Sequence, residues 1–157
     1  MSAIAARFTA ALWAWPDGSA WFVMLGLLIG FGAIALLVGL GTGFLTVAPV
    51  RQPRAIGSTL VVVLLYPSVL EESLFRLLPI PLSTQADLPT IVGMSGLSLL
   101  IFIAAHPLNA WLWMPDRRAT FYDPVFLSLA GLLGAVCTLS YIQSGSLWPP
   151  IVLHWAV

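Results

Sequence analysis

Residues 60–80 read LVVVLLYPSVLEESLFRLLPI. Three charges, Glu71, Glu72 and Arg76, interrupt an otherwise apolar run near the middle of the chain. On insertion scales each charge inside a hydrophobic span costs at least ~2.5–3.5 kcal/mol. Such groups pair with one another, line a wet cavity, or do both. The rest of the chain reads as a frame that holds this cluster inside a membrane.

The composition agrees. The chain has 157 residues, 60% of them hydrophobic and 8% charged, with a mean hydropathy of +1.01. A soluble domain carries about 25% charged residues. Six acids balance six arginines and there is no lysine. A basic footprint for nucleic acid is therefore missing, and no nucleic-acid partner is expected. Cys137, the one cysteine, has no internal partner for a disulfide. Continuous apolar runs, rather than alternating ones, argue for helices and against a barrel.

Outward from the cluster, Ile56 to about Ile80 reads as a span with Pro67 as a kink. Before it, Trp21–Leu45 is long enough to cross the hydrocarbon, which takes about 20 residues. Gly26 and Gly30 form one GxxxG pair and Gly39 and Gly43 another. These read either as close-packing faces or as the ordinary glycine content of membrane helices. Residues 1–20 form an N-terminal interfacial segment, with Trp13 and Trp15 at headgroup level. Its Arg7 and short apolar run share the layout of a signal peptide, but no convincing small-residue cleavage site follows. After the cluster, Thr90–Trp113 and Pro124–Ile142 read as further spans. The helix that opens at Pro149 rises only ~14 Å by Val157, about half a bilayer. It is expected to be re-entrant, or else the chain is shorter than its ancestral fold. The fold class is thus an all-α polytopic transmembrane bundle. It has about four full spans and a partial fifth, all within a membrane-embedded domain at 21–157. Loops 46–56 and 114–123 hold four of the six arginines. The positive-inside rule puts both in the cytoplasm and the N-terminus and the 81–89 loop outside, an orientation that Arg7 alone opposes. The expected location is a plasma (inner) membrane or another energy-transducing one.

Glu72 and Arg76 are i and i+4 and share a helix face. Glu71 is rotated about 100° from Glu72, so the expected division is a braced Glu72 and an unpaired Glu71. A carboxylate without a partner in a low-dielectric surround is a stronger base than one in water. The only two histidines, His106 and His154, also fall inside apolar helices. Together with the carboxylates they are able to position a water, act as acid and base, or ligate a metal. Helix counting raises one difficulty. Glu71 lies ~22 Å along its run and His106 ~24 Å along the next, antiparallel one, which offsets the two in depth.

Glu71-Glu72-x-x-x-Arg76, then Phe102-x-x-x-His106, then His154, follow the order of three motifs of the CPBP family. The segment Ser146-Leu147-Trp148-Pro149-Pro150-Ile151-x-x-His154 also resembles that family's approach to its third motif. The family comprises membrane-embedded CAAX prenyl proteases and bacteriocin-processing or self-immunity proteins, and the resemblance covers roughly residues 56–157. It implies a glutamate-dependent intramembrane endopeptidase that uses no cofactor. Glu71 and His106 would activate a water, His154 would assist at the oxyanion, and Glu72, Arg76 and Phe102 would support the site. The implied partners are a peptide or membrane-protein substrate, the lipid bilayer, and optionally a membrane-complex partner. The sequence departs from the family twice. The asparagine expected four residues after His154 would fall at position 158, and Leu77 stands where many members have glycine. Asn109, three residues after His106 and on its face, is the nearby amide.

Other readings rank lower. Gly93-Met94-Ser95-Gly96 matches the GxSG pattern of rhomboid serine proteases, with His154 as base, but it leaves the three charges unexplained. A zincin would need an H-E-x-x-H that is absent. A metal held by Glu71, His106 and His154 is chemically possible but not favoured. A transporter would show an internal repeat, and none is evident. A degenerate relative acting as a membrane scaffold or partner-binding subunit is the non-enzymatic alternative.

Overall fold

The computed structural model describes residues 3–48, 53–82 and 84–157. Pro49 and Arg51 of the expected arginine-bearing loop lie outside these residues. The described elements are all helical. They run α1 (Ala3–Trp13), α2 (Gly18–Gly41), α3 (Pro53–Val63), α4 (Leu70–Glu72), α5 (Leu88–Leu112), α6 (Arg118–Phe121), α7 (Pro124–Ser144) and α8 (Trp148–Trp155). π-helical turns flank α4 at Leu64–Val69 and Ser73–Leu77.

Three helices, α2, α5 and α7, are long and apolar enough to cross a bilayer. Each begins at an aspartate whose side chain accepts from the first turn. Asp17 accepts from the Ala20 N–H, Asp87 from that of Thr90, and Asp123 from those of Val125 and Phe126. Half of the six acids are thus spent on starting the spans. Hydrogen bonds from Ala20 N–H and Ser19 hold the Asp17 carboxyl below the usual carboxylate range. Those from Thr90 do the same for Asp87. Large apolar side chains on the outer faces, such as Phe22 at 79% and Leu37 at 76% exposure, are left for lipid to cover.

The expected span over Ile56–Ile80 is a broken run rather than one helix. The chain leaves helical geometry at Tyr66 (φ −141°, ψ 115°). The physical cause is the spacing of prolines, each of which lacks the N–H that the carbonyl four residues earlier would use. Pro67 orphans the Val63 carbonyl, which accepts from Ser68 Oγ at 2.8 Å. Pro79 orphans the Phe75 carbonyl, which accepts from Ser98 Oγ on α5. Pro81 orphans the Leu77 carbonyl, which accepts from Arg7 on α1 at 2.8 Å. In lipid such groups must find partners inside the protein, and here each is met by a side chain.

α7 is the central helix. It packs against α2, α5 and α8 and carries buried residues from Ala130 to Tyr141, among them Gly134 and Cys137. It ends at Gly145, whose φ of 65° suits glycine. The Gly145–Leu147 turn then reverses the chain into α8. The short α8 is as expected, and buries Ile151, Leu153 and His154.

The glycine pairs behave otherwise than as packing faces within the chain. Among the described residues, a Cβ at Gly26 or Gly30 would meet nothing within 4 Å, and one at Gly39 would meet Leu45 of the following turn. Close approach between helices occurs instead at Gly131 and Gly134 of α7. The N-terminal helix is held by the protein. Ala11 is buried in a cluster with Leu77, Ile80, Ile91, Tyr141, Leu147 and Ile151, while Trp13 and Trp15 stay exposed.

Candidate active site

Glu72 and Arg76 are both fully buried, as intramembrane charges are when they serve structure. Arg76 Nε lies 3.2 Å from Glu72 Oε2, the i,i+4 pair expected from spacing. Spacing could not supply the second partner. His154 Nδ1 reaches Glu72 Oε1 at 2.8 Å from the C-terminal helix. A carboxylate only accepts, so this ring nitrogen carries the proton. Arg76 has further partners, its Nη2 donating to the Gly134 carbonyl at 3.0 Å and its guanidinium carbon lying 4.6 Å from the centre of the Phe102 ring.

Phe102 sits at the junction of the site. Its ring stands edge-on to Phe75 at 5.2 Å and to His106 at 4.8 Å. One turn later on α5, His106 Nδ1 donates to the Phe102 carbonyl at 2.8 Å. That hydrogen bond fixes the tautomer and leaves Nε2 with a free lone pair. Phe121 and Phe126 complete an aromatic surround for the imidazole.

Glu71 has no such tether. Its nearest ionic neighbour is His154 Nε2, 3.8 Å from Oε2 and beyond hydrogen-bond reach. Two cavities meet at this residue. The larger, of about 590 Å³, is lined by Glu71, His106 and His154. The smaller, of about 220 Å³, is lined by Glu71 and His106 and by Leu70, Leu74 and Ala105 towards the outer surface. Tyr66, Phe102 and Asn109 belong to both. The depth offset obtained by helix counting does not arise, because the run carrying Glu71 breaks at Tyr66 and is not a straight rod.

The structure therefore gathers Glu71, Glu72, Arg76, Phe102, His106 and His154 in one place. Ser95 of the GxSG match lines neither cavity. Among the described residues, the set whose ligand atoms lie within 4.8 Å of one another is Glu72, Cys137 and His154. The lower-ranked metal set of Glu71, His106 and His154 is not among such sets. At the Glu72 set a cation would sit beside the Arg76 guanidinium, which opposes it electrostatically. Sequence reading did not single out Gly134, Phe121 or Phe126, and did not place Cys137 at the site. An isolated glycine or phenylalanine in an apolar helix gives no signal of what faces it.

A family model described as Rce1-like, type II CAAX prenyl endopeptidase, matches residues 53–157. No curated protein and no solved structure matches the chain.

Proposed function

The chain belongs to the Rce1-like family of type II CAAX prenyl endopeptidases, and from that premise we propose that it is an intramembrane endopeptidase using a water held by Glu71 and His106. It is an integral membrane protein, and its substrate is a peptide reaching the cavity within the membrane. The observation that carries the mechanism is the contrast between the two glutamates. Glu72 is tied by a hydrogen bond from His154 to Oε1 and by the ion pair of Oε2 with Arg76, whereas Glu71 faces the cavities with only the longer 3.8 Å approach to His154 Nε2.

The chemistry follows from those positions. His106 Nε2 accepts a hydrogen bond from the water and orients it. Glu71 takes a proton as the water oxygen attacks the scissile carbonyl carbon. His154, turned by its Nδ1–H bond to Glu72, presents Nε2 to the cavity. When that nitrogen carries a proton it donates to the developing oxyanion. The C–N bond then breaks, the Glu71 proton passes to the leaving amine, and a carboxylate and an amine result. Glu72, Arg76 and Phe102 hold the two histidine-bearing helices in register and do not touch the reacting atoms. Asn109 lines both cavities and offers an amide donor in addition to the His154 imidazole.

The test uses purified protein in nanodiscs and internally quenched peptides, with and without a prenylated C-terminal cysteine. Glu71→Gln and His106→Ala are each expected to lower cleavage about 10²–10⁴-fold, the usual worth of a general base, with unchanged melting. Cleavage persisting in both variants would reject the mechanism. A wild type that cleaves none of the peptides would favour the scaffold reading.

A further inference from the structure

The carbonyl end of the Ser73–Leu77 turn, just past Glu71, Glu72 and Arg76, is closed by a residue from outside the family-matched region. Pro79 and Pro81 stop the helix there and remove two backbone donors. A helix C-terminus carries unpaired carbonyls and the negative end of the dipole. Arg7 of α1 occupies that end. Its Nη2 donates to the Leu77 carbonyl at 2.8 Å and to the Ile80 carbonyl at 2.6 Å, and its Nη1 to that of Leu78 at 3.4 Å.

The other end of α1 grips the helix that carries His154. The Leu147 N–H donates to the Ala11 carbonyl at 3.2 Å, and Trp148 Nε1 donates to the Leu12 carbonyl at 2.9 Å. Between these two sets of bonds, Ala11 packs into the cluster that contains Leu77, Ile80, Leu147 and Ile151. One eleven-residue helix thus holds the end of the glutamate-bearing segment and the start of α8. The Glu72–His154 hydrogen bond spans the same two segments.

We propose that α1 is a clamp on the active site and that Arg7 is a positioning residue, fixing Glu72 against His154 and so setting where His154 Nε2 points. Arg7 lines neither cavity, so it acts through the helix end and not on substrate. The proposal also accounts for an arginine on the side that the positive-inside rule disfavours. Its charge is consumed by a helix end rather than left to set topology.

The activity arm of the test rests on the protease reading, and the labelling arm does not. In nanodiscs, well below the melting temperature, Arg7→Ala is expected to lower kcat at least tenfold with KM within twofold of wild type. The acid limb of its kcat–pH profile should also move. Arg7→Lys, a point charge without the planar fork, should fall between the two. Cys137 is fully buried beneath the Glu72–His154 pair and serves as a reporter that needs no activity. Arg7→Ala and, less strongly, Trp148→Phe should raise its maleimide labelling rate at least fivefold. Asp17→Ala, which removes the cap of α2, should leave labelling unchanged. If Arg7→Ala does not fold, Arg7→Lys and Trp148→Phe carry the same comparisons. Labelling and pH profile unchanged in the folded variants would overturn the clamp. Equal labelling increases in Asp17→Ala would also overturn it, since the effect would then be general loosening. An inactive wild type with the labelling pattern intact would reject the protease reading and leave the clamp standing.

Discussion

At Gly134 two requirements meet on one backbone position. Its carbonyl accepts from Arg76 and from Thr138 Oγ1, and its missing side chain makes room for Arg76 and Phe102. A Cβ there would come within 2.7 Å of Leu99 Cδ1, 3.0 Å of Phe102 Cδ1 and 3.1 Å of Arg76 Nη2. The Leu99 methyl is the end of a flexible side chain and can swing away. Arg76 and Phe102 are each held by several partners and cannot move without shifting Glu72 or His106. Gly134→Ala is therefore expected to gain about 1 kcal/mol in helix propensity and lose about 1–3 kcal/mol to overpacking. Stability should therefore fall by about 0–2 kcal/mol while kcat falls about tenfold. Gly131→Ala is the control, since its Cβ would meet only Ile103, and it should keep wild-type activity. Equal activity in the two variants would mean that the Arg76–Phe102 contact does not matter. Spacing alone gave the Glu72–Arg76 pair and the freedom of Glu71, because both follow from helical periodicity. It could not give His154 as the second partner of Glu72, because that contact joins residues 82 positions apart.

At the level of elements, the long helices were legible because apolar length and an aspartate cap are local properties. The broken run over Pro53–Leu77 was half legible. Pro67 marked a bend, and its freed Val63 carbonyl is met locally by Ser68, but the partners of the carbonyls freed by Pro79 and Pro81 are Ser98 and Arg7, far away in the sequence. This pairing of proline with remote donor can be tested for Pro79 and Ser98. Removing the Ser98 hydroxyl leaves the Phe75 carbonyl unpaired, at a cost of about 1–3 kcal/mol. Replacing Pro79 restores a backbone N–H four residues after Phe75. Ser98→Ala should thus destabilise the protein strongly in the wild type and weakly in a Pro79→Ala background. The double-mutant cycle should show a coupling of at least ~0.5 kcal/mol. Additive effects, measured by reversible unfolding in detergent, would show that Ser98 does not replace the missing donor. The glycine pairs of α2 were misleading for the opposite reason. A motif read as a packing face needs a partner, and among the described residues Gly26 and Gly30 have none.

For the molecule as a whole, we propose an orientation in the membrane from charge once Arg7 is accounted for. Arg117 and Arg118 lie in the connection between α5 and α7, and the Arg118 guanidinium turns back onto the Trp111 carbonyl at the end of α5. Arg76 is buried in the site and Arg7 is held on the carbonyls after Leu77, so neither counts towards the loop bias. The positive-inside rule then puts the connection at 114–123 in the cytoplasm. α5 is one continuous helix long and apolar enough to cross a membrane, so the turn that precedes Asp87 is expected on the other side. The lone native thiol, Cys137, is buried and will not compete with a reporter. Asp116→Cys should react with a membrane-impermeant maleimide only after the cytoplasmic face is opened, whereas Gln85→Cys should react from outside in intact cells. Both positions are exposed, so access is governed by the bilayer and not by packing. Labelling of both from one face would contradict a spanning α5. Labelling of each from the opposite face would invert the orientation and return Arg7 to the count as a topology signal.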